Sequence, residues 1–215
     1  VSRADNDCRW EYDNFEWNME YRMSTLELKE LSHPSGEVIK IAAGKTLDLK
    51  SQGTTTLPTG SVLQVKQAYK TDIFSSSASG YVDVTGLSVT ITPSSTSSKL
   101  LITSAISGFS QGGHGGVWVL RDGSTAIGLA DSATSRSLSS FSGHLYTGDA
   151  SGTTQMCFNA VATYLYSPST TSPVTLKVSS NHNGSLVKVN YQESDSNTND
   201  YTRSVSHITV QEIAG

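Results

Sequence analysis

Residues 155–166 read Gln155-Met156-Cys157-Phe158-Asn159-Ala160-Val161-Ala162-Thr163-Tyr164-Leu165-Tyr166. At a period of two, Phe158, Ala160, Ala162, Tyr164 and Tyr166 share one face, and Val161 and Leu165 share the other. A strand at the wall of a lone sandwich has one dry face and one wet face. Here both faces are apolar, so the second face needs a second apolar partner. Val117-Trp118-Val119-Leu120 has the same two-sided character. A subunit interface supplies such a partner; the alternative is a β-bulge that exchanges the faces. The first option makes Trp118, Phe158, Tyr164 and Tyr166 the expected interface residues.

Outward from this stretch, residues 61–215 continue as short strands with turn residues every 8–12 positions, the pattern of an all-β sandwich. The expected strands before it are Val62–Tyr69, Tyr81–Thr85, Leu87–Thr92, Leu100–Ile106, Val117–Arg121, Ala126–Leu129 and Ser137–Tyr146. Those after it are Val174–Ser180, Leu186–Tyr191 and Ser204–Ile213. Asp122-Gly123 and Asn183-Gly184 are hairpin turns, because both residue types accept the positive φ that such turns require. No stretch sustains an apolar spacing of three and four, so almost no helix is expected.

Composition agrees. Hydrophobic residues are 36% and charged residues 16% of 215, below the roughly 45–50% and 25% of average domains. The difference is made up by 36 Ser, 24 Thr and 18 Gly, which suits short strands and a hydroxyl-coated surface. With 15 Lys+Arg against 19 Asp+Glu, nothing provides the basic stripe that nucleic acid needs. No run of 18 apolar residues exists, so no membrane-inserted helix is expected. Cys8 and Cys157 fit neither a disulfide scaffold nor a zinc site and read as two reduced thiols.

The first 22 residues form an acidic, aromatic arm. Phe15, Trp17, Met19, Tyr21 and Met23 alternate with Glu16, Asn18, Glu20 and Arg22, as in a half-buried strand. A lone terminal strand cannot bury that face by itself. It adds to the body, to a sister chain or to a foreign sheet edge. Met23 also makes a plausible translation start, which would place residues 1–22 upstream of it. Residues 23–60 repeat a smaller idiom: Leu26/Leu28, Ile39/Ile41 and Leu47/Leu49 each flank one polar residue, with turn residues between. Such pieces bury too little to stand alone. Three chains wound together would bury the pairs along a common axis; the alternative is a linker laid on the globular part.

Residues 60–215 also look familiar. GSVLQV (60–65), Phe74, YVDVTGLSVTITP (81–93) and SKLLI (98–102) are similar to C-terminal domains of fibre-like structural proteins of tailed phages, marine ones especially. LRDGSTAIG (120–128), YSPSTTSPVTLKV (166–178) and ITVQEIA (208–214) continue the pattern. The resemblance implies a jelly roll that trimerises, like the C1q and tumour-necrosis-factor domains. Residues 23–60 resemble the stem of phage fibres, and residues 1–22 have no counterpart. The expectation is a non-enzymatic protein of the virion exterior, a homotrimeric fibre or decoration spike for host attachment. Phe15, Trp17, Met19 and Tyr21 would anchor it to other virion proteins. The alternatives are a carbohydrate-binding module, with His114 and Tyr201 in candidate receptor loops for a host-surface glycan, or a secreted bacterial adhesin.

Several motifs suggest chemistry without its context. Gly108-Phe109-Ser110-Gln111-Gly112 matches a nucleophile elbow, but the elbow needs a helix after the serine. Here glycines, His114 and another strand follow. The histidines 33, 114, 144, 182 and 207 show no metal-ligand spacing, and His114 and His182 read as exposed turn residues. Glu193, Asp195 and Asp200 share a polar loop whose spacing matches no EF-hand. No catalytic residue, metal site or cofactor is expected.

Overall fold

The computed structural model describes residues 43–46, 56–110, 116–132, 134–143, 156–182, 186–191, 197–199 and 203–215. For residues 109–110 and 156–158 only the backbone is considered. Thr55–Gly215 is one compact unit, distinct from Val1–Thr54. Phe15, Trp17, Met19, Tyr21, His114, Tyr201 and the Leu/Ile pairs of 23–60 lie outside the described residues.

The protein is all-β, and no helix occurs among the described residues. The strands are β1 (Val62–Lys70), β2 (Phe74–Ser76), β3 (Gly80–Ile91), β4 (Lys99–Ser110), β5 (Gly116–Asp122) and β6 (Thr125–Ile127). They continue with β7 (Phe141–Gly143), β8 (Met156–Tyr166), β9 (Val174–His182), β10 (Val187–Val189) and β11 (Ser206–Ile213). Sheet one has the order β1-β11-β4-β10-β2, with β8 on the other side of β4. Sheet two has the order β3-β9-β5-β6, with β7 also on β5. All pairings are antiparallel. Along the chain the long strands alternate sheets: β3 in sheet two, β4 in one, β5 in two, β8 in one, β9 in two, β11 in one.

The alternating sequence pattern sends every second side chain of both sheets into one shared core. Sheet two contributes Leu87, Ile91, Trp118, Leu120, Leu176 and Val178; sheet one contributes Leu100, Ile102, Ile106, Val189, Ile208 and Val210. Each large side chain so buried stabilises the fold by about 1.5–3 kcal/mol relative to exposure. The expected strands Tyr81–Thr85 and Leu87–Thr92 are one strand, β3. Its register against β9 slips between Asp83 and Ser88, and Gly86 sits in the slip at φ +86°. The alternation changes parity there, which is why the sequence reads as two strands.

The two open sides of the sandwich are closed by polar contacts. On one side, Gln64 Nε2 donates to the Thr92 carbonyl (2.8 Å) and Lys66 Nζ to the Thr90 carbonyl (3.1 Å), which links β1 to β3. Glu212 is buried beside them. It accepts from Gln64 Nε2 (2.6 Å) and from the Ser94 amide and hydroxyl (both 2.7 Å). Burial opposes its ionisation, but these donors outweigh burial and hold its carboxyl below the ordinary 4.5. Ionised Glu212 therefore contributes stability that is fully present above pH 4.5 and lost as pH falls through the lowered value. Glu212→Gln is expected to cost about 2 kcal/mol at neutral pH. Melting curves of the two proteins should converge as pH falls below 4.5; a gap that persists into strong acid would contradict this role.

Asn190 ties the far ends together. At φ +57° it takes the left-handed conformation that asparagine tolerates. Its Nδ2 donates to the carbonyls of Lys70 (2.6 Å) and Asp72 (3.1 Å), and its Oδ1 accepts from Ser206 Oγ (2.7 Å). Lys70, itself buried, pairs with Asp72 at 2.9 Å.

Candidate functional site

The outward face of sheet one is set by the register. Val65, Gln211, Leu101 and Leu165 form one row across β1, β11, β4 and β8. Gln67, Thr209, Thr103 and Thr163 form the next, and Tyr69, His207, Ala105 and Val161 the third. Their chain neighbours Ile208, Val210, Ile102 and Ala162 point into the core, so these three rows point away from it. Two rows that are apolar except for Gln211 and His207 thus flank a row of amide and hydroxyl groups. None of the twelve positions carries Asp, Glu, Lys or Arg. Val65, Tyr69, Val161 and Leu165 are 56%, 63%, 65% and 48% exposed. Local contacts stiffen the face: Gln67 Nε2 donates to Thr209 Oγ1 (2.6 Å), and the Tyr69 and His207 rings lie 6.1 Å apart.

β8 is central to this face. Its register with β4 runs unbroken from Leu100–Tyr166 to Ser110–Met156. No bulge exchanges its faces, and both are apolar in place. The assignment of the faces is the reverse of that expected. Tyr164 and Tyr166 lie on the side of Ala160 and Ala162, which are core residues. Tyr166 Oη donates to Asp122 Oδ2 at 2.8 Å, and a β-carbon on Gly128 would lie 3.2 Å from the Tyr164 ring. Burial first, and the bond to Asp122 second, push the Tyr166 hydroxyl up to about 12. The two tyrosines close the second open side of their own sandwich. Val161 and Leu165, on the opposite face, are more exposed than Tyr164.

Trp118 is a correction as well. It is fully buried between the sheets, opposite Ser180 of β9 and Phe141 of β7, and offers no surface to a second copy. Val119, on the other face of β5, is also fully buried. Phe158 pairs with Gly108 through its backbone. Because both faces of β8 and β5 are apolar, alternation alone could not say which face the core would take. No sequence signal links Val65 and Tyr69 to Val161 and Leu165, because the rows exist only once β1, β11, β4 and β8 are in register.

The remaining motifs resolve simply. Ser110 ends β4 with its backbone paired to Val187 and Met156, not on a strand-to-helix turn. His182 is buried at the end of β9, where its Nε2 accepts from the Val117 amide at 3.4 Å; the expectation of an exposed turn residue is overturned. Among the described residues no three His, Cys, Asp or Glu side chains come together as a metal site, and no helix is long and apolar enough to cross a membrane. No protein-family model matches the chain, and no curated protein matches it.

Proposed function

We propose that this chain is a non-enzymatic structural protein of a tailed-phage virion, a homotrimeric fibre or decoration spike that displays a jelly-roll knob for host-surface attachment. The observation that carries the reading is the uncharged, uncovered apolar face of sheet one. Exposed apolar surface gathered on one face marks an interaction site. Near the axis of a rotationally symmetric assembly each position approaches its own copies, and a charge there would meet a like charge. This face has no Asp, Glu, Lys or Arg among its twelve positions, which spares self-association most of that penalty.

Two further features support the reading. Strands that alternate between sheets along the chain suit a jelly roll. The alternating arm and the paired Leu/Ile idiom of residues 1–60 suit a segment completed only by other chains. In this proposal Phe15, Trp17, Met19 and Tyr21 anchor the protein to the particle, and no cofactor takes part. Attachment through three copies of one weak site gains avidity without new contacts.

The intact chain is expected to run in native mass measurement at three times its 22.9 kDa, and the chain lacking residues 1–22 should fold but be absent from purified particles. A monomer at micromolar concentration, or particles that incorporate the shortened chain normally, would reject the reading.

A further inference from the structure

Sheet two turns a different surface outward. Tyr81 and Asp83 of β3, Lys177 and Ser179 of β9 and Arg121 of β5 share that face, since Val84, Val178 and Leu120 beside them belong to the core. Arg121 stands opposite Lys177 and reaches across β9. Its Nη1 donates to Asp83 Oδ1 (3.0 Å), its Nη2 donates to the Ser124 carbonyl (2.8 Å), and its guanidinium lies 5.3 Å from the centroid of the Tyr81 ring. Lys177 Nζ donates to Asp83 Oδ2, and Ser179 Oγ donates to Asp83 Oδ1 at 2.6 Å. Burial opposes ionisation of Asp83, yet these donors hold its carboxyl below the ordinary carboxylate range.

The result is a rigid aromatic beside a fixed array of polar groups. Arg121 holds the Tyr81 ring, and Tyr81 remains 44% exposed. Among the described residues it is the one strongly exposed aromatic of this face; Tyr69 belongs to sheet one and Tyr164 to the side of the sandwich. Asp83 is 45% exposed at its side chain and has lone pairs left after three donors. Lys177, 21% exposed at its side chain, has three N–H bonds, of which Asp83 takes one among the described residues. Two cations surround one carboxylate, so the patch is locally positive on a chain of formal net charge −4.

We propose that this patch binds an acidic saccharide, with the apolar face of a pyranose ring stacked on Tyr81 and the sugar carboxylate on Lys177 Nζ. The C–H face of a pyranose is electropositive and packs on the negative face of an aromatic ring. Asp83 accepts from ring hydroxyls. Because the salt bridges already fix Tyr81, Asp83 and Lys177, little side-chain entropy remains to be lost on binding. A shallow site of this kind is weak alone, and three copies on one assembly raise its avidity. The inference rests on the attachment reading above and assigns it a receptor class and a location.

The test exposes the intact chain to a glycan array that carries each oligosaccharide in a carboxylated form (uronate or sialate) and a neutral form. Carboxylated glycans should be captured about tenfold or more better than their neutral counterparts, as a charge-assisted contact allows. Tyr81→Ala should abolish capture, Tyr81→Phe should keep it, and Lys177→Gln should erase the preference for the carboxylate. Tyr81 lies outside the core, so Tyr81→Ala should melt like the parent; if it does not, Lys177→Gln carries the test alone. Absence of any captured carboxylated glycan, or capture unchanged in Tyr81→Ala and Lys177→Gln, overturns the site. Native mass and particle incorporation measured on the same preparations separate the two ideas. An incorporated trimer that binds no glycan rejects the site and leaves the attachment reading standing.

Discussion

Val161→Lys combined with Leu165→Lys is expected to convert the proposed trimer into a folded monomer. Both side chains lie on the outward face of an edge strand, 65% and 48% exposed, so the isolated sandwich loses almost nothing when they change. Surface substitutions of this kind usually stay within about 0.5 kcal/mol, and lysine on a sheet edge guards it against unwanted pairing. In the proposed trimer the same two lysines would be buried three times over around one axis, each near its own copies. Like charges juxtaposed at an interface cost several kcal/mol, which weakens each contact by about 100-fold or more. Sedimentation velocity at micromolar concentration should show one species at the monomer mass with an unchanged melting temperature. If the double variant assembles like the parent, sheet one is not the assembly face.

Trp118→Ala has the opposite signature. The side chain is fully buried in the core between the two sheets. Its removal leaves a cavity that short, cross-linked strands cannot collapse to fill. The expected loss is about 3–5 kcal/mol, a large share of the roughly 5–15 kcal/mol that holds a typical domain together. Thermal unfolding should fall by roughly 6–20 °C, given about 2–4 °C per kcal/mol for chains of this size. Whatever remains folded should assemble as before. A Trp118→Ala protein that melts normally but no longer assembles would restore this residue to the interface and undo the description of the core.

These two variants separate what alternation could reveal from what it could not. The all-β character, the hairpin at Asp122-Gly123 and the two-sided character of 155–166 follow from local pattern: period-two spacing, turn residues and the absence of helical spacing act within a few residues of one another. The choice of face does not. For Tyr164 against Leu165, or Trp118 against Val119, both parities offer apolar surface, and only the position of the opposite sheet decides which one enters the core. Tyr166 shows the same dependence, since its partner Asp122 is 44 positions away and arrives with sheet two. The salt-bridge array of Asp83, Arg121 and Lys177 was equally hidden, because its members come from three strands that meet only across β9.

Sequence by itself therefore determined that this chain forms short strands, that it folds without helix among the described residues, and that it carries more apolar strand surface than one sandwich can cover. Tertiary structure decided where the surplus lies: chiefly on Val65, Tyr69, Val161 and Leu165, while Trp118 is fully buried and Tyr166 lies on the core side of its strand. The physical reason is that a strand's period fixes which side chains travel together, while the burial of either set is a property of the sheet that packs against it.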